Sequence, residues 1–479
     1  MATMSQLEAY TSELAAAVKA LSTHCEDFNC SRAQFVIPLD APSEAHRAQQ
    51  SALATIARLQ TILAGPADFL HHLAVQNQLL ACLHWLGEFQ VLACIPIKGS
   101  VPIKDVADLA GVPEVHLSRV VRMMTTAGFL QEPQPGTVAH SALSAPFVTK
   151  PAYLDVSMFL AGTAAPAALQ MATATQRFGP SVRPNETAYN LAFNTSTSLA
   201  TLCEQQPKLQ RQWPAFLRYG TSDTESCVTD LLARMDQLHR GNISVVVEVR
   251  YTLRSPVHRI MSNGSQVGAT STDRAVALAN LYPSVHFIVQ MIPPSSGWIS
   301  PIRPPTPCSR HDDPRQLSAN SAHTGSTLGT SNPTGHAAGV SVQQRAPATP
   351  QLVSDAAVYI LNLPSPSPST SFSSLFGRIM AELRAHLDIL RANPAATLVL
   401  IPRLLPETGT VNPEVEASAR LRDLSLLQLA NERELELAEL LNMLHSVSDN
   451  MGRLVVVNKL QSRDSVAIVL EVRYQTYNR

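Results

Sequence analysis

The stretch Val245-Val246-Val247-Glu248-Val249, with TDRAVALANL (272–281) and SVHFIVQM (284–291) behind it, decides the fold. Four valines flanking one acid describe a strand buried on both faces, the pattern of a parallel sheet. Apolar residues recur at helical spacing through 272–281, and a second apolar run follows at 284–291. Strand, helix and strand in this order open a Rossmann-like α/β sheet, whose ligands sit outside the carboxyl ends of the strands.

Two elements that such a nucleoside cradle relies on are missing. The first turn ordinarily carries glycines that let backbone approach the ligand. This strand runs instead into Arg250-Tyr251-Thr252-Leu253-Arg254-Ser255-Pro256, whose side chains occupy that space. The second strand ordinarily ends in a carboxylate for ribose hydroxyls, and here it ends in Met291. Met291 and, in the loop that follows the first strand, Gly268 are therefore read as degenerate cofactor-binding positions. Removing 250–267 in thought joins Val249 to Gly268 and restores strand-turn-helix spacing with a single glycine. The segment is expected to be a surface insertion or a translated retained intron. Tryptic peptides from within 255–267, found in protein from its source, exclude the intron.

Beyond this unit the composition shifts. Residues 293–350 are rich in Pro, Ser, Thr, Gly, Asn and His, too poor in large apolar groups to bury surface, and are expected to form a disordered insert. Folded sequence resumes with a strand at 355–361. A helix at 372–392, a strand at 396–401, helices at 417–429 and 434–447, and strands at 454–458 and 465–474 follow. Strands alternating with helices argue for a mainly parallel sheet, giving one α/β domain over 236–479.

Ahead of the sheet the chain reads as helical. Leu7, Tyr10, Leu14, Val18 and Leu21 form one apolar stripe, and a second helix spans 45–63, so 1–66 is a unit of N-terminal helices. The apolar run 68–95 ends at Pro96. Helical segments 102–110 and 114–127, joined by Gly111-Val112-Pro113, have helix-turn-helix spacing, and 128–140 supplies two short strands around Gly136. Together 67–150 reads as a winged helix of the dimerisation type, and 151–235 as a helical connector. The second helix of the winged unit carries His116, Arg119 and Arg122 against Glu114, too few cations for a phosphate-binding face, so direct sequence-specific DNA binding is not expected. Trp85 and Phe89 read as core residues.

Composition sets the outer bounds. A chain of 479 residues, 45% hydrophobic and 15% charged, has room for two or three domains, and its net charge of −1 supplies no field for nucleic acid. Seven scattered cysteines point to reduced thiols, and the Cys25/Cys30 pair beside His24 lacks the second pair a metal site needs, so no metal is expected. Leu79 to Ile97 is interrupted by His84 and Glu88 and reads as a buried helix rather than a membrane span.

The order of parts resembles the plant- and fungal-type O-methyltransferases that use S-adenosylmethionine. The resemblance rests on LACLHWLGEFQVLACIP (80–96), VPIKDVADLAGVPEVHLSRVVRMMTTAGFL (101–130), VAHSALSAPFV (138–148), VVVEV (245–249) with YPSVHFIVQ (282–290), and DLSLLQLANERELELAELL (423–441). PKLQRQ (207–212) and DAAVYIL (355–361) bring it closer still to the methyltransferase-like co-regulators of fungal aflatoxin and sterigmatocystin gene clusters. In the enzymes a histidine base follows the fourth strand. Asn362 stands nearest that position here, and an amide cannot take a proton at neutral pH. Glu432 matches a glutamate that orients the base, and without its histidine it reads as a solvated carboxylate at a helix end. Glu248 matches the acidic residue of the cofactor motif and, with the glycines lost, reads as a degenerate cofactor-binding position.

The resemblance implies a non-catalytic transcriptional co-activator, nuclear and also cytoplasmic. Its partner would be the zinc-binuclear-cluster activator of the same mycotoxin cluster, and the N-terminal region would form a homodimer. No cofactor is expected on this reading, and no membrane. The alternative is an active O-methyltransferase acting on a phenolic polyketide with bound S-adenosylmethionine. A third reading, a direct DNA binder, would show salt-sensitive duplex binding lost in Arg119→Ala/Arg122→Ala.

Overall fold

A computed structural model describes residues 4–26, 43–219, 225–235, 245–251, 272–292, 339–368, 370–411, 413–461 and 467–477. The first strand of the α/β unit, β4, covers Val245–Tyr251, and β5 covers His286–Ile292. They are joined in parallel register from Val245 opposite His286 to Tyr251 opposite Ile292. Next come β6 (Val340–Gln344), β7 (Val358–Asn362) and β8 (Thr397–Ile401). Strands β9 (Leu404–Leu405) and β10 (Leu435–Glu436) pair with each other outside this sheet, and the hairpin β11 (Gly452–Gln461) and β12 (Ile468–Thr476) forms its antiparallel edge. The strand order is β11-β12-β8-β7-β4-β5-β6. Pairing is parallel from β8 to β6 and antiparallel at β12 and β11. The Rossmann-like α/β class read from the sequence is the class observed.

The order of strands reverses between β4 and β7, the topological switch point of an open α/β sheet. Both faces of the sheet are covered, which is why β4 reads as an unbroken apolar run: Val246, Val247 and Val249 are fully buried. On one face Val247, Val249, Leu361, Leu398 and Leu400 pack with helices Phe372–Ala392 and Leu437–Ser446. On the other, Val246, Phe287, Val289 and Ile360 meet helices Asp273–Leu281 and Glu225–Ala233.

Two sequence expectations need correction here. The disordered insert read at 293–350 is too long at its end: β6 adds in parallel to β5 from Val340 opposite Phe287, and residues 345–351 pack under helix Phe372–Ala392. Backbone pairing with β5 and the single buried contact of Val340 hold an edge strand that its own composition does not announce. The insertion read from Arg250 starts too early as well. Arg250 and Tyr251 continue β4 and pair with Met291 and Ile292. Gly268 and 252–267 lie outside the described residues.

Ahead of the sheet, helices Met4–Glu26 and Ser43–Leu63 form a hairpin. The apolar run at 68–95 resolves into helix Pro66–Glu88, a left-handed residue at Gln90 (φ 52°), and a short helix Val91–Cys94. Helices Ile103–Ala110 and Glu114–Thr126 flank Gly111, whose φ of 66° lets the chain reverse without a Cβ clash. Strands β1 (Val101–Pro102), β2 (Leu130–Gln131) and β3 (Thr137–His140) make a small antiparallel sheet beside them. Trp85 packs onto this core, whereas Phe89 is 45% exposed and leaves the core role read for it.

The connector is helical from Pro151 onward, with a π-turn at Leu160–Ala164. Pro151–Leu169 is long and apolar enough to cross a membrane by composition. Its Phe159 and Ala167 are nevertheless fully buried, packed with Trp213, Phe216, Leu426 and Leu429.

Candidate functional site

Ligand chemistry in this architecture belongs at the carboxyl ends of β4 and β7. Alternation along β4 turns Val247 and Val249 toward helix Phe372–Ala392 and sends Glu248 and Arg250 to the opposite face. Glu248 is fully buried. A bare carboxylate there would cost several kcal/mol, about the penalty of any unpaired buried charge, so cations must gather around it.

They do, from both sequence neighbours and a remote helix. Arg250 Nε donates to Glu248 Oε1 at 2.8 Å. Arg274, second residue of helix Asp273–Leu281, donates to the same oxygen through Nε at 3.0 Å and again through Nη2. Asn362, the last residue of β7, completes the group. Its Nδ2 donates to Glu248 Oε1 at 3.2 Å and to the Val249 carbonyl at 2.8 Å, while its Oδ1 accepts from Arg274 Nη2. Burial pushes the Glu248 carboxyl upward, but the Arg274 and then the Arg250 guanidinium outweigh it and hold the group below the ordinary carboxylate range. Oε2 is buried and has no hydrogen bond among the described residues.

The structure thus joins Glu248 and Asn362, two positions singled out from sequence, and adds Arg274, which sequence reading missed. A signal was present. A cation in the first turn of a helix opposes the helix dipole, and an acid inside a valine strand demands a counterion. Met291 is buried at the end of β5, beside Arg250 in register, and places no polar group there.

Glu432 lies apart from this group and is not the solvated carboxylate read from sequence. It is half-buried, and its Oε2 accepts from the Phe372 amide at 2.7 Å, at the first residue of helix Phe372–Ala392. Burial raises the carboxyl above its ordinary value, against the amide bond and the Arg433 charge. Its neighbours tie other elements. Asn431, at φ 54°, donates to the carbonyls of Arg183 and Glu186, and the Arg433 guanidinium lies 3.8 Å above the Phe372 ring and pairs with Glu439. These three residues link the helical connector, the start of one sheet-covering helix and the start of another.

No group of three metal-ligating side chains occurs among the described residues. Cys82, Cys94 and Cys203 are free thiols, and burial pushes Cys203 up to about 11. The side chains of Cys25 and Cys30 lie outside the described residues. On the outer helix of the helix-turn-helix segment, Arg119 and Arg122 are exposed, and Arg122 lies 3.8 Å from Glu132.

Residues 4–64 match the family described as the trypacidin cluster transcriptional coactivator tpcD N-terminal domain. The whole chain is 59% identical to the monodictyphenone cluster transcriptional coactivator mdpA of Emericella nidulans, covering 100% of both chains. It is 44% identical to the dothistromin biosynthesis regulatory protein aflJ of Dothistroma septosporum, over 99% of both, and 42% identical to the trypacidin cluster transcriptional coactivator tpcD of Aspergillus fumigatus, over 100% of this chain and 98% of that one. Among solved structures it resembles OxaC in complex with SAH and oxaline, with a TM-score of 0.52 at 15% identity over 97% of this chain and 100% of that one. It also resembles the N,N-8-amino-8-demethyl-D-riboflavin dimethyltransferase RosA of Streptomyces davawensis, with a TM-score of 0.55 at 12% identity over 86% of this chain and 100% of that one. The likeness to the solved structures is one of fold, and the likeness to the relatives runs from end to end at high identity: the chain belongs to the family of fungal secondary-metabolite cluster transcriptional coactivators built on a methyltransferase-like fold.

Proposed function

We propose that this protein raises transcription of a secondary-metabolite gene cluster by presenting a fixed folded surface to the cluster's own DNA-binding activator, and that it transfers no methyl group. The observation that carries the reading is the full-length identity to proteins named as cluster transcriptional coactivators. The partner is a zinc-binuclear-cluster activator, the pathway a polyketide mycotoxin of the aflatoxin or sterigmatocystin type, and the place of action the nucleus, with a cytoplasmic pool. The protein reads no DNA sequence itself, since the two arginines on its outer helix include one set against Glu132. It inserts into no membrane.

The chemistry at the switch point supports a non-catalytic role. A nucleoside hydroxyl needs an accessible acceptor, and the Glu248 carboxylate is buried with Oε1 already shared by two guanidinium groups and an amide. The group nearest the expected proton acceptor is Asn362, both ends of whose amide are engaged. The residues present at the switch point do not fit S-adenosylmethionine.

A homodimer is part of the proposal. The first half of helix Pro66–Glu88 exposes Phe69, Leu70 and Leu73, and between residues 69 and 80 it carries no Asp, Glu, Lys or Arg. Two copies can therefore meet there without like-charge repulsion.

The purified full chain should retain the cluster's activator in a pull-down, and a cluster-promoter reporter should fall without it. Absence of both effects, or methylated polyketide accumulating in a purified assay, overturns the reading in favour of the enzyme.

A further inference from the structure

We infer that Arg274 is an internal occupant of the ligand crevice, a side chain seated where this architecture receives a nucleoside, and that it converts the crevice into a staple joining β4, β7 and helix Asp273–Leu281. The inference deepens the non-catalytic reading above and rests on it.

Three observations converge. The guanidinium lies at the switch point, bonded to Glu248 of β4 and to Asn362 at the carboxyl end of β7. Its side chain is 2% exposed, so it fills volume in the crevice instead of lining its rim. It also stands in the first turn of its helix, where a cation works against the helix dipole. The position is therefore unfavourable for the helix taken alone and becomes favourable through the contacts on β4 and β7.

Asn362 serves the same arrangement. One amide group donates to both Glu248 and the Val249 backbone and accepts from Arg274, so charge, strand and helix are fixed by one planar unit. A histidine there has only two ring nitrogens, so in neither protonation state could it replace all three bonds. The consequence for function is rigidity at the switch point, where the protein's own side chains are bonded to one another across β4, β7 and helix Asp273–Leu281. A partner then meets a surface whose shape does not depend on a bound small molecule.

Urea unfolding of the full chain tests the staple in a cycle of Glu248→Gln, Arg274→Met and the double variant. Each single change should lower the folding equilibrium constant roughly a hundredfold, and the double should lose no more than the worse single, a coupling of about a hundredfold. Independent, multiplicative losses overturn it. Should the Met variant fail to fold, Arg274→Lys keeps a cation but cannot span Glu248 and Asn362, and it should still lose about tenfold; no loss overturns the inference. Calorimetric titration with S-adenosylhomocysteine supplies the second arm. The wild-type chain should give no saturable heat, and a saturable isotherm overturns internal occupancy. That result leaves the contact-based coactivator reading to be judged by the pull-down and reporter, so the two can fail separately.

Discussion

His386 shows how a single buried side chain sets conditions for the whole sheet. Its Nδ1 lies 2.8 Å from the Glu382 carbonyl, which can only accept, so the ring carries its proton there and Nε2 accepts from Gln351 Nε2 at 3.4 Å. Gln351 is held in turn by reciprocal amide bonds with Gln290 at 2.8 and 2.9 Å. Tyr359 packs its ring 6.0 Å away, and Arg345 and Glu382 are the charged groups nearby. Burial drives the imidazole down to about 4 from its ordinary 6.5, with the Glu382 carbonyl opposing and Arg345 assisting. Protonation would also aim a second donor at the Gln351 amide. The folded protein thus binds this proton less tightly than the unfolded chain. Stability from the neutral ring is complete above about pH 6.5 and is lost as pH falls toward 4, by about 3 kcal/mol. Urea midpoints across that range should fall more steeply for the wild type than for His386→Gln. Parallel curves would show that the ring does not govern the acid limb.

Among the elements, residues 345–351 act as a strap between β6 and helix Phe372–Ala392. Arg345 Nη1 meets Glu382 Oε2 at 2.7 Å, the Ala348 amide donates to Oε1 at 2.7 Å, and both charged side chains are buried. Arg345→Met strands the Glu382 charge and should cost about 3–5 kcal/mol in chemical denaturation. Adding Glu382→Leu should recover only part, because the Ala348 amide loses its acceptor. A loss under about 1 kcal/mol in the single variant would mean that the pair is solvated. The same strap marks where the sequence stopped being legible. Helix Phe372–Ala392 was legible at its observed bounds, and the structure shows Ser371 capping its start. The strand Val358–Asn362 announced itself by an unbroken apolar run. β6 did not, because VSVQQ needs only Val340 indoors and takes its order from β5. Arg274 escaped for a related reason: its role depends on the middle of β4 and the end of β7 being brought alongside it by topology, and no local period encodes that. Glu248 and Asn362 were legible as positions, whereas their mutual bond was not.

At the scale of the whole molecule, the N-terminal helices leave several large apolar side chains exposed among the described residues. Helices Met4–Glu26 and Ser43–Leu63 pack over Leu14, Ala17, Leu21, Ala48 and Ala52, a core far smaller than an independent unit requires. Leu53 and Ile56 face outward from the second helix, and Phe69, Leu70 and Leu73 from the next. Apolar faces on successive helices form the kind of surface that soluble chains bury against a partner. The homodimer proposed above would use this patch, since an isologous contact uses the same surface twice and residues 69–80 carry no fixed charge to oppose it. Light scattering on the full chain should therefore give a dimer at micromolar concentration. Leu70→Glu/Leu73→Glu should shift it to monomer while leaving the cooperative melt of the sheet domain in place, because these side chains are exposed within one chain and contribute nothing to its core. A wild-type monomer, or a variant that stays dimeric, would move the interface elsewhere. If the dimer breaks as expected, the activator pull-down repeated on the monomeric variant separates two roles for this surface. Retained capture assigns the N-terminal helices to self-association alone, and lost capture makes the dimer itself the shape that the activator recognises.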